Sequence, residues 1–243
     1  MQRPSFVRHV VPTLLAFLLL AGCGGGGSSG GGGGVRGTLV YTAIGASDAV
    51  GIGATPLSNG YVPTLAGRLR AVGFATTLNN LGINGARVGD MIDDELPDAL
   101  ASDPDVVTIW TGANDLIGGD SPDAFALELA FLLAQLQDGT NATIYVGDLP
   151  DLTQARLFRD GSDPDVTKAR VDAYNLRIHQ AIEDAGCVLV VLSTIELTDD
   201  LTWIDGFHPS NAGHAALADA YWSEIVPRTV SDTKRGTASN ASP

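Results

Sequence analysis

Thr38-Leu39-Val40-Tyr41-Thr42-Ala43-Ile44-Gly45-Ala46-Ser47-Asp48 is a β-rich apolar run that stops abruptly at a glycine, a small residue, a hydroxyl and a carboxylate. β-branched and aromatic residues favour the pleated conformation, and a run this apolar suits a strand covered on both faces. Four further runs of strand length follow, at residues 75–81, 106–110, 142–146 and 187–192. Between them lie helical patterns. Ser121-Pro122-Asp123 reads as a helix N-cap, a first-turn proline and an acidic first turn, and the helix should end before Gly139. A second, at about 165–185, places Val171, Tyr174, Ile178 and Ile182 on one stripe and stops at Gly186. A last helix, 211–225, is capped by Ser210 or Asn211 and ended by Pro227. Strands alternating with helices imply a parallel sheet buried on both sides, so the expected fold is α/β: a three-layer α/β/α sandwich with five strands in one domain over residues 35–228. The polar, small-residue tail 229–243 reads as disordered.

The chain ends bear on location. Arg3 and Arg8 precede an apolar run, residues 10–21, that is shorter than the ~18 residues a membrane span needs. Residues 1–22 therefore read as a secretory signal peptide. Leu20-Ala21-Gly22-Cys23 resembles the lipobox at which bacterial lipoproteins are cleaved and acylated, which implies Cys23 as the lipidated residue. Residues 24–34 contain only Gly and Ser and read as a flexible tether. This places the protein outside the cytoplasm, lipid-anchored in the bacterial cell envelope, periplasmic or at the cell surface. Removing Arg3 and Arg8 takes the formal charge from −14 to −16. A surface so acidic repels nucleic acid and anionic headgroups, so membrane contact falls to the lipid.

With Cys23 committed to the anchor, Cys187 has no partner for a disulfide; within its apolar run it reads as a packed thiol. No zinc-ligand spacing is present. Gly51-Ile52-Gly53 carries Pro56 where a dinucleotide fingerprint needs a third glycine. No metal or organic cofactor is expected.

In open α/β sheets ligands gather at the carboxyl ends of the strands, so the residues after each strand matter most. Ser47 after the first can be a nucleophile presented at the sheet edge, or a helix cap. The second strand leads into Asn80-Leu81-Gly82-Ile83-Asn84-Gly85-Ala86, where a glycine lets backbone approach a ligand. Asn114, in Thr111-Gly112-Ala113-Asn114-Asp115 after the third, can donate to an oxyanion or form a turn. Trp203-Ile204-Asp205-Gly206-Phe207-His208-Pro209 sets an aspartate three residues before a histidine, a spacing that lets the carboxylate reach Nδ1 and leaves Nε2 outward as a base. His179 lies opposite its helix's apolar stripe and reads as solvated; His214 falls on a stripe with Leu217, Tyr221 and Ile225 and reads as packed. Arg87, Arg156 and Phe158 could touch a substrate, but surface solvation is the better explanation for both arginines.

In this order, these blocks resemble those of the SGNH hydrolases, also called the GDSL esterase and lipase family, over residues 45–209. The resemblance implies a flavodoxin-like sheet, Ser47 as nucleophile, Asp205 and His208 completing the triad, and an oxyanion hole from the Ser47 and Gly85 N–H groups and the Asn114 amide. Gly85, rather than Gly82, matches the family's glycine. The family's first block reads Gly-Asp-Ser, whereas here Ala46 replaces that aspartate and Asp48 follows the serine. The implied activity is hydrolysis of O-acyl esters of a lipid, an acylated glycan or a small alcohol. A lysophospholipase or thioesterase is the alternative within the family, and an inactive surface-binding lipoprotein the alternative outside catalysis.

Overall fold

The computed structural model describes residues 36–238, with side chains as far as residue 229. Residues 1–35, which hold the expected signal peptide, Cys23 and the expected tether, and residues 239–243 lie outside the described residues. Five parallel strands, β1 (Gly37–Gly45), β2 (Phe74–Asn80), β3 (Val106–Trp110), β4 (Thr143–Gly147) and β5 (Val188–Val190), form one sheet in the order β2-β1-β3-β4-β5. The helices in chain order are α1 (Ser47–Val50), α2 (Tyr61–Ala71), α3 (Val88–Asp90), α4 (Leu96–Ala101), α5 (Ala113–Ile117), α6 (Pro122–Gly139), α7 (Lys168–Ala185) and α8 (Asn211–Ala238). A π turn, Met91–Glu95, joins α3 to α4.

The period of two along each strand builds the layers. Ile144 and Val146 of β4 and Val107 and Ile109 of β3 pack into a core with Leu129, Leu132 and Leu136 of α6 and Val171, Tyr174 and Ile178 of α7. Their alternates, Tyr145 and Val106, pack on the other face with Leu65 and Leu69 of α2 and Leu217 and Tyr221 of α8. This is the expected α/β fold. Helix ends follow local chemistry: Ser121 Oγ accepts from Ala124 N at 3.1 Å, Thr167 Oγ1 from Arg170 N at 3.3 Å, and Gly186 stops α7 at φ +66°. Ser210, not Asn211, caps α8, its Oγ accepting from Gly213 N at 3.2 Å.

Two boundaries differ from the sequence reading. α8 does not stop at Pro227 but runs on to Ala238, so the tail expected to be disordered from residue 229 is helical through residue 238. An interior proline removes one N–H and crowds a carbonyl, costing about 3 kcal/mol, yet Pro227 is exposed and the helix continues through it. β5 is shorter than the run 187–192 because Leu192 N and Ser193 N leave the ladder for Asp148 Oδ1, at 2.6 and 2.7 Å. Cys187 thus lies just before the strand, half-buried, with Gln137 Nε2 3.5 Å from its sulfur; burial raises its thiol pKa.

The register places the site. Gly45 pairs with Trp110, Trp110 with Gly147, and Gly147 with Val190, so β1, β3, β4 and β5 end level. The residues that follow these strands emerge along one edge.

Candidate active site

Ser47 is the first residue of α1, immediately past β1. The N-cap position belongs to Ala46, which makes no side-chain cap, so the serine hydroxyl is not spent on the helix. It lies 2.8 Å from His208 Nε2. As the first helical residue, Ser47 also has no carbonyl behind it in the helix to take its N–H.

His208 arrives on the loop between the last strand and α8. Trp203 N donates to His208 O at 2.7 Å, Gly206 N to Trp203 O at 2.9 Å, and Thr202 pairs with Pro209, which closes the loop on itself. Asp205 sits inside that turn. Its Oδ1 accepts from Phe207 N and His208 N at 2.9 and 3.0 Å, and its Oδ2 lies 2.6 Å from His208 Nδ1. A carboxylate only accepts, so Nδ1 carries the proton and Nε2 is left to accept from Ser47 Oγ. Partial burial pushes the Asp205 carboxyl up, but the hydrogen bonds from Phe207 and His208 outweigh it and hold its pKa below the usual value.

The loop is held from two sides. Arg156 donates to the carbonyls of Ile204 and Trp203, and Leu157 N to Gly206 O at 3.1 Å. Phe158, buried, meets Phe207 edge-on, and Phe207 in turn meets the His208 ring. Arg156 and Phe158 therefore brace the histidine loop. Opposite, Gly53 at φ +91° approaches so closely that a Cβ there would lie 2.2 Å from Pro209 O. Only glycine permits that contact.

Asn114, in α5, donates from Nδ2 to Ala86 O at 2.9 Å, tying the end of β3 to the turn after β2. The second Nδ2 hydrogen remains for a ligand. Gly85 takes φ +79°, and no acceptor among the described residues claims its N–H. Ser47, Ala86, Asn114 and His208 line one cleft; Gly85 stands one residue outside that lining.

Other candidates resolve differently. Arg87 pairs with Asp120 at 3.0 Å on the surface. His214 is buried as expected, Nδ1 accepting from Tyr61 N and Nε2 donating to Ile52 O. His179 is exposed, as expected, and also reaches the buried Asp148 Oδ2 with Nε2 at 3.0 Å. Sequence reasoning missed Asp148, the residue just past β4, although every neighbouring strand end had drawn attention. It also missed Glu95, whose Oε2 accepts from Gly45 N at 2.9 Å beneath the β1–α1 turn. Burial raises the Glu95 carboxyl to about 8 and that of Asp48 to about 7; buried Oε1 of the one and Oδ2 of the other have no hydrogen-bond partner in the protein.

Residues 43–216 match the model of the GDSL-like Lipase/Acylhydrolase family. An acetylxylan esterase of Geobacillus stearothermophilus is 28% identical over 189 residues, 70% of this chain and 82% of that one. A solved structure of the acetyl xylan esterase Axe2 from the same organism is 26% identical with a TM-score of 0.62, covering 77% of this chain and 94% of that chain. TesA superposes with a TM-score of 0.65 at 22% identity, covering 77% and 98%.

Proposed function

The chain belongs to the GDSL-like lipase/acylhydrolase family and is an ester-hydrolysing enzyme, and we propose that it cleaves O-acyl esters through an acyl-enzyme on Ser47. His208 Nε2 takes the hydroxyl proton as Ser47 Oγ bonds to the carbonyl carbon. The oxyanion is met by the Ser47 and Gly85 N–H groups and the Asn114 amide. His208 then gives its proton to the departing alcohol as the ester C–O bond breaks. Water, deprotonated by the same nitrogen, attacks the acyl-enzyme and releases the carboxylic acid and free Ser47. Asp205 keeps the ring in the working tautomer and stabilises the imidazolium.

The observation that carries this reading is the single chain of contacts from Ser47 Oγ to His208 Nε2 and from His208 Nδ1 to Asp205 Oδ2, at 2.8 and 2.6 Å. A fluorophosphonate probe tests it: wild type should label and Ser47→Ala should not. Labelling of both alike, or of neither, rejects Ser47 as the nucleophile.

The sequence at Leu20-Ala21-Gly22-Cys23 and the tether behind it support a second part of the proposal, an enzyme held outside the cytoplasm by a lipid on Cys23. Multiple acyl chains, at about 0.8 kcal/mol per buried methylene, anchor stably. Expressed with its leader in a bacterium, the protein should partition into a detergent phase and Cys23→Ala into the aqueous phase; equal partitioning removes the anchor.

A further inference from the structure

We propose that the cleft beside Ser47 is an acyl-chain site, so that the enzyme prefers esters of medium-length fatty acids to acetyl esters. The proposal rests on the Ser47 esterase reading and adds the identity of the acyl group.

Apart from Ser47, Asn114 and His208, the cleft offers few polar side chains, Asp48, Thr111 and Thr202. Its walls are apolar: Trp110 at the end of β3, Leu152 after β4, Ile195, Leu197 and Leu201 from the stretch between β5 and α8, and Leu217 of α8. These residues come from both sides of the sheet, since Leu152 and Leu197 pack with one core and Ile195 and Leu217 with the other. The cleft therefore continues past the serine across the sheet edge. The cleft opens to solvent along these walls. An acetyl methyl would cover little of this surface, and a sugar would bring hydroxyls that few side chains here can satisfy. An alkyl chain needs only apolar walls.

The walls stand without a ligand. Gln154 Oε1 accepts from Leu197 N at 3.0 Å, and Arg159 reaches Asp199 Oδ1 at 2.8 Å and Gln154 O at 3.0 Å. Asp148 fixes the start of the same stretch through Leu192 N and Ser193 N. Two loops that are separate in sequence are thus cross-tied into one wall, and no ordering cost falls on the substrate.

A series of p-nitrophenyl esters from acetate to dodecanoate tests the proposal on the whole protein. Each methylene that leaves water contributes about fourfold, so kcat/KM should rise along the series and favour octanoate over acetate by at least ~100-fold. Leu197→Trp and Leu201→Trp, which fill the cleft from two positions, should each lower the octanoate-to-acetate ratio about tenfold or more. The isomers methyl octanoate and heptyl acetate assign the side of the ester, and methyl octanoate should be the better substrate. A flat series, a preference for acetate, a preference for heptyl acetate, or faster hydrolysis of acetylated xylo-oligosaccharide than of the octanoate ester overturns the proposal. Fluorophosphonate labelling in the same samples separates the two levels. Labelled Ser47 with an acetate preference refutes the acyl-chain site alone, whereas absent labelling refutes the esterase reading beneath it.

Discussion

In the proposed mechanism Asn114 carries two tasks on one amide. One Nδ2 hydrogen is fixed on Ala86 O, which orients the group, and the other would meet the developing oxyanion. Donors already aimed at the place where charge appears act without reorganisation, which is why losing one costs about 100- to 1000-fold in turnover. Asn114→Ala should show that loss in kcat, with KM shifted far less, in steady-state assays of any accepted ester; a loss confined to KM would make Asn114 a binding residue only. The contact between Asp205 and His208 was legible because both partners lie within one tight turn, where three residues of spacing suffice to close the ring. The contact between His208 and Ser47 spans 161 positions and was legible only through the order of the blocks. Ser47 itself was ambiguous between nucleophile and cap; α1 begins on Ser47 with Ala46 at the cap, so the hydroxyl does not cap the helix and lies against the imidazole.

At the scale of elements, β4 and the stretch after β5 are joined by a single buried carboxyl. Asp148 accepts from Leu192 N, Ser193 N, Ser193 Oγ and His179 Nε2, at 2.6, 2.7, 2.8 and 3.0 Å. It ends β5 early and turns the chain toward the cleft wall. Asp148→Ala strands the buried Leu192 N–H at about 1–3 kcal/mol and leaves the N–H of the exposed Ser193 to water, so a loss of roughly 2 kcal/mol is expected in urea unfolding. Asp148→Asn, whose amide oxygen can still accept from both, should lose less than half as much. Equal losses would mean that packing, not these hydrogen bonds, sets the value of the site. The sequence exposes strands β1 to β4 within a residue or so because their apolar runs are long and end in glycine or polar residues. It exposes α6 and α7 because their caps are local. It hides the end of β5, since the competing acceptor lies over forty positions earlier, and it hides the end of α8, since a proline's local penalty is outweighed by the helix on either side.

Across the whole molecule, the buried carboxyls at the β1–α1 turn should govern the dependence of stability on pH. Asp48, in α1, and Glu95, beneath the β1–α1 turn, each carry a buried carboxyl oxygen without a hydrogen-bond partner, and burial lifts their carboxyls to about 7 and about 8. An unfolded carboxyl titrates near 4. Each group thus binds its proton more tightly in the folded chain, so the stability it contributes is complete below about pH 4 and is lost as pH rises toward 7 and 8. The formal charge of −14 adds self-repulsion in the same direction. Asp205 works oppositely, because its lowered pKa makes its contribution fail only on the acid side, below the usual carboxylate range. The melting temperature should therefore be highest in mildly acidic buffer and fall by several degrees between pH 6 and pH 9, a loss of about a few kcal/mol. Asp48→Asn removes one of the two buried ionisations and should reduce the fall up to about pH 7, leaving the part due to Glu95, which continues to about pH 8. Glu95→Gln, which keeps an oxygen for Gly45 N, should flatten the remainder. Scanning calorimetry of the three proteins across that range decides the matter: three parallel curves would show that the two carboxyls stay hydrated enough to ionise freely, and the alkaline loss would then belong to the surface charge alone.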